Sequence, residues 1–118
     1  MTSWKTDKYL IQMFEKYNKK YFGNRLSGKI RIGWRAPFKK GHAAEHIVLK
    51  DGMVLILINP KLKEWGAQNY ALSSLLHEMV HQLLYQQNHG PSVFYGHGNL
   101  FQKEMKRLAS RGAFKSLW

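Results

Sequence analysis

His77-Glu78-Met79-Val80-His81 constrains this chain more than any other stretch. It sits inside a long apolar run over 70–85. On an α-helix, residues four apart stand nearly one above the other. His77 and His81 can therefore offer two imidazoles to a single metal ion. Glu78 projects beside the same site, where it can take a proton from a metal-activated water. The competing reading makes the two histidines ordinary polar groups at the edge of a core. The H-E-x-x-H order favours the metal, because each position then has a chemical task.

The helix that carries these residues is expected over 70–87, with Asn69 as its cap. Leu72, Leu75, Leu76, Met79, Val80, Leu83 and Leu84 cover most of its circumference, so it should be buried and central. A rigid central helix holds ligand geometry better than a loop does.

The rest of the chain arranges itself around that helix. Thr6 or Asp7 can cap a first helix whose face is Leu10, Phe14, Tyr17 and Tyr21, ending at Gly23-Asn24. Ile30, Ile32 and Trp34 alternate with Arg31, Gly33 and Arg35, as in a half-buried strand. Stretches 42–50 and 53–58 read as an antiparallel hairpin through a type I′ turn at Asp51-Gly52. The second of them has no polar face and should be covered on both sides. Asn59-Pro60 ends it, and a short connection over 61–68 follows, with Trp65 packing inward. Residues 88–96 read as a loop. A last helix begins at Gly98 or Asn99, with Phe101, Met105 and Leu108 inward and Lys103, Lys106, Arg107 and Arg111 forming a basic side. Gly112 stops it. The fold class is α+β, in a single domain over 1–118.

Nineteen Lys and Arg against seven Asp and Glu leave a formal net charge of +12. Such an excess speaks of partners, with nucleic acid first and an anionic membrane surface second. There is no cysteine, which rules out disulfides, thiolate nucleophiles and Cys-held zinc. The amino-terminal stretch lacks the apolar core of a signal peptide, and no apolar run crosses a bilayer without polar interruption. The expectation is a monomer in the cytoplasm, either associated with a nucleoid or in the cytoplasm of a host, with no membrane partner.

Catalytic zinc usually takes three protein ligands and leaves one position open. The metzincin continuation needs Gly at 84 and His at 87, where this chain has Leu84 and Gln87. His97, His89 and Glu104 remain as third ligands. His97 is favoured, because it directly precedes a helix whose Phe101 anchors it to the core.

With that, the chain resembles a known family. H-E-M-V-H at 77–81, followed after a loop by His97-Gly98-x-x-Phe101, is similar to the SprT-like, or Spartan-type, zinc metallopeptidase domain. Tyr21-Phe22-Gly-Asn-Arg-Leu26, Ile30-Arg-Ile-Gly-Trp34 and Ile58-Asn-Pro60 extend the likeness over roughly 8–112. The resemblance implies a compact zincin-like domain. A small antiparallel or mixed sheet would pack on the central H-E-x-x-H helix, with helices at both ends. It implies Zn²⁺ held by His77, His81 and His97, with Glu78 as the catalytic residue. Spartan-type members cut proteins crosslinked or bound to DNA. Many carry a Cys-ligated zinc module for DNA; here any DNA contact must use the domain's own basic surface. The expected function is a zinc-dependent endopeptidase with Glu78 as general base and proteins at DNA as substrates. The rivals are a general zinc peptidase without a DNA role and a non-enzymatic nucleic-acid-binding module. His89, Tyr95 and His46 are candidates for a second oxyanion donor.

Overall fold

The computed structural model describes residues 7–27, 29–87 and 98–115. Helix α1, Lys8–Tyr21, starts at Asp7, whose Oδ1 accepts the Leu10 N–H at 3.0 Å. Its buried face is the expected one, Leu10, Phe14, Tyr17 and Tyr21, with Asn18 added. Asn18 is a buried amide with both ends satisfied: Nδ2 donates to the Leu26 carbonyl at 2.9 Å and Oδ1 accepts the Leu26 N–H at 3.1 Å. That pair folds the chain back on α1 as it leaves the helix through left-handed Asn24.

Strands β1 (Ile30–Trp34), β2 (Ala44–Val48) and β3 (Val54–Ile58) form one mixed sheet in the order β1-β3-β2. β1 runs parallel to β3, and β2 runs antiparallel to it, with Ala44 opposite Ile58 and Val48 opposite Val54. β3 is central and buried at every position, which accounts for its lack of a polar face. β2 is left as an edge.

The hairpin turn differs from the expected type I′. That type needs φ > 0 at both central residues. Here Gly52 has φ 86 and Asp51 does not lie in the left-handed region. The Gly52 N–H donates to the Leu49 carbonyl at 2.9 Å, and the Leu49 N–H to the Met53 carbonyl at 2.8 Å. The connection is therefore a three-residue loop with glycine at its left-handed exit, and Asp51 Oδ1 accepts the Met53 N–H.

Helix α2, Pro60–Glu64, is capped by Asn59, whose side chain accepts the Lys61 N–H. It stops at Gly66 (φ 68), with the Gly66 N–H on the Lys63 carbonyl and the Ala67 N–H on the Leu62 carbonyl. This paired closure turns the chain sharply. It leaves Trp65 on the outside, 70% exposed, which overturns the expectation that it packs inward.

Helix α3, Gln68–Gln86, begins earlier than expected. Its N-cap is Ala67, without a side-chain cap bond, and Asn69 is already helical. All seven of its expected apolar residues are buried. It packs on β2 and β3 and against the other helices. Helix α4, Asn99–Ser110, buries Phe101 and Leu108. Arg107 leaves the expected basic side: its Nε donates to Glu104 Oε2 at 2.9 Å and its Nη1 to the Tyr21 carbonyl at 2.8 Å. The result is a small α+β domain with a three-stranded mixed sheet and, among the described residues, four helices. No helix among them is long and apolar enough to cross a membrane.

Candidate metal centre

The middle of α3 carries His77, Glu78 and His81. Glu78 and His81 are buried, and His77 is half-buried. The two imidazole centres are 5.1 Å apart with their planes at 68°. Two imidazoles bound to one tetrahedral zinc at about 2.0–2.1 Å have ring centres roughly 5 Å apart. The spacing of the two ring centres matches that of two imidazoles on one metal ion. Phe101 of α4 packs on both rings, 4.7 Å from His77 and 4.5 Å from His81. This contact fixes the start of α4 beside the imidazole pair.

The third ligand favoured from sequence, His97, lies outside the described residues, as do His89 and Tyr95. The following residue, Gly98, is the N-cap of α4. Glu104, the carboxylate alternative, is held by Arg107, which is itself tied to the carbonyl at the end of α1. Among the described residues, no three His, Asp or Glu side chains gather as a metal site.

His77 and Glu78 open on a cavity of about 310 Å³. Ala43 and Ala44 at the start of the edge strand form one wall, Tyr70, Ser73 and Ser74 of α3 another, and Met105 of α4 closes it. Small residues on the strand and hydroxyls on the helix leave space where a larger side chain would fill it. Sequence reasoning missed this lining. Its one visible signal was Ser73-Ser74, two hydroxyls interrupting an apolar helix.

Burial pushes the Glu78 carboxyl up from 4.5 to about 8; Glu45 adds to the rise and Lys39 opposes it. A carboxyl held protonated by burial is released as a base when a cation sits beside it. The residue is therefore poised to take up and give back a proton near neutrality.

A second feature was equally hidden in the sequence. His46 of β2 is buried, and its Nε2 lies 2.8 Å from Gln82 Oε1. Gln82, 1% exposed, donates through Nε2 to Gln86 Oε1 at 2.8 Å and to the Ser27 carbonyl at 3.3 Å. Gln86 in turn accepts the Ser27 N–H at 2.9 Å and donates to the Arg25 carbonyl at 2.8 Å. The far end of this chain of bonds consists of backbone groups, whose donor and acceptor roles are not adjustable. They fix the orientation of Gln86, which fixes Gln82, which requires the proton of His46 to be on Nε2. Burial lowers the His46 pKa from its ordinary 6.5, the Gln82 bond opposing, so the ring is neutral at neutral pH. A neutral His46 whose only N–H is given to Gln82 has none left for an oxyanion, which removes it as a second donor. The signal available in the sequence was Gln82 itself, an amide in the middle of an apolar helix that must find partners.

No curated protein matches the sequence. The model of the SprT-like family matches residues 10–116, nearly the whole chain, and the chain thus belongs to the SprT-like family.

Proposed function

We propose that this protein is a zinc-dependent endopeptidase, with His77, His81 and His97 as metal ligands and Glu78 as general base. One observation carries the reading: two imidazoles at single-zinc spacing with a buried proton-holding carboxyl between them in sequence, that carboxyl and the first imidazole lining one cavity. Family membership supports it. When bound, zinc supplies Lewis acidity, acidifying water and polarising a carbonyl. Glu78 takes the proton from the attacking water as the C–O bond forms. It then delivers that proton to the amide nitrogen as the C–N bond breaks, and is regenerated. The β2 edge and the cavity hold the peptide, and Phe101 keeps the two imidazoles in place. The test is cleavage of a protein substrate by the zinc-loaded chain and by Glu78→Gln. The variant should keep zinc and lose cleavage; cleavage at the wild-type rate excludes the assignment.

The substrates we propose are proteins bound or crosslinked to DNA. The support is the net charge of +12 and the end of the sheet where β1 and β3 finish. Arg35, Lys39, Lys40, Lys61 and Lys63 belong to the segments that meet there, against the carboxylates of Glu45 and Glu64. The Arg35 N–H on the Ile58 carbonyl and the Asn59 side chain on the His42 carbonyl tie those segments together. Phe38 and Trp65, 72% and 70% exposed, stand in the same segments. Cations interleaved with open rings suit a strand whose phosphates and bases are both accessible. DNA binding that falls steeply with salt is expected; no binding at low salt would leave a general zinc peptidase.

A further inference from the structure

Metal-ligating histidines almost always present their second ring nitrogen to an acceptor, which fixes the ring and raises its basicity. The hydrogen-bond polarity described above identifies one such acceptor. His46 must use Nε2 as a donor to Gln82, so Nδ1 of the neutral ring carries a lone pair and no proton. The His46 and His81 ring centres are 6.3 Å apart, with planes at 35°. A direct N–H···N bond would bring two imidazole centres to about 5 Å. One intervening water spaces them at roughly 6–7 Å.

We infer that His46, locked by the Gln82–Gln86 relay with its proton on Nε2, is a positioning residue for His81: its Nδ1 accepts the second N–H of the His81 ring through one water. The inference rests on the zinc reading of the site. It adds a role for the edge strand, which then holds a ligand as well as forming a wall of the cavity. It also explains why a helix this apolar keeps two amides one turn apart. Gln82 and Gln86 transmit the fixed polarity of the backbone at residues 25 and 27 to a ring beside the metal pair. Among the described residues, the other ring near His46 is Tyr85, at 6.2 Å, whose hydroxyl is the rival user of Nδ1.

Two measurements on the full chain test this. Long-range ¹H–¹⁵N spectra of the metal-free protein at neutral pH should show His46 protonated at Nε2 and bare at Nδ1. A ring protonated at Nδ1 overturns the inference, whatever the metal does. Zinc affinity, read by competition with a chromophoric chelator, is the second. His46→Gln keeps an N–H near the Nε2 position for Gln82 and loses the Nδ1 acceptor. It should keep the wild-type urea midpoint and bind zinc roughly 10–100-fold more weakly. His46→Phe should weaken zinc to a similar extent even if its stability also falls. Tyr85→Phe should leave zinc affinity unchanged. Wild-type affinity in both His46 variants, or an equal loss in Tyr85→Phe, overturns the role given to Nδ1. If the wild-type chain itself takes no zinc, the metal reading fails, and this role fails with it.

Discussion

Replacing Glu78 by Gln should do two opposite things: abolish cleavage and stabilise the metal-free fold. The second effect follows from the burial of the carboxyl, whose pKa rises from 4.5 to about 8 on folding. A carboxyl raised in the folded state binds its proton more tightly there than in the unfolded chain. Its contribution is most favourable below the unfolded value of 4.5 and declines as pH rises toward about 8. Near pH 7 the unfolded chain has released this proton and the folded chain still holds it, a difference of about 3 kcal/mol at 1.36 kcal/mol per pH unit. Glutamine never ionises, so the variant escapes that loss. Urea unfolding of EDTA-treated wild-type and Glu78→Gln protein should give near-equal stabilities at about pH 4.5 and a gap of about 3 kcal/mol in favour of the variant near pH 7. Zinc should narrow the gap, because a cation beside the site favours the ionised carboxyl. A variant no more stable than wild type near neutrality, or a gap that does not grow with pH, would refute the claim that burial holds Glu78 protonated.

Three further outcomes are expected. Imidazoles bind metal only when neutral, so zinc should be lost in mild acid, near and below about pH 6; metal content measured across a pH series checks this, and full retention contradicts it. Trp65→Ala should weaken single-stranded DNA binding about tenfold while leaving duplex binding less affected, as fluorescence anisotropy at fixed salt would show; an unchanged affinity removes Trp65 from that surface. Gly112→Ala should lower stability by about 1 kcal/mol without touching zinc binding. Gly112 has φ 80 and open space around its Cα, so that cost is conformational alone, and thermal melts would report it.

The parts of this structure legible in the sequence are those set by local periodicity. Leu10, Phe14, Tyr17 and Tyr21 repeat at helical spacing and form the buried face of α1. The unbroken apolar run of β3 suggested a strand covered on both faces, and burial at every one of its positions bears that out. The helical placement of His77, Glu78 and His81 was legible for the same reason, since one turn of one helix brings them together. What sequence could not show depended on chain reversals and distant partners. Trp65 was expected inside because large rings usually are, but the helix stop at Gly66 turned it out. Arg107 was expected on an open basic face, but the carbonyl of Tyr21, far away in sequence, draws it in. The cavity needs residues from β2, α3 and α4, and the relay to His46 needs backbone groups before β1. No single-segment pattern carries either.

The most direct test of the central claim is zinc K-edge X-ray absorption of the purified, zinc-loaded chain. The account predicts one zinc per chain, bound by three imidazole nitrogens at about 2.0–2.1 Å with one light-atom position left over. A shell with only two imidazoles, a protein carboxylate in place of the third, or no stoichiometric zinc at all would contradict it.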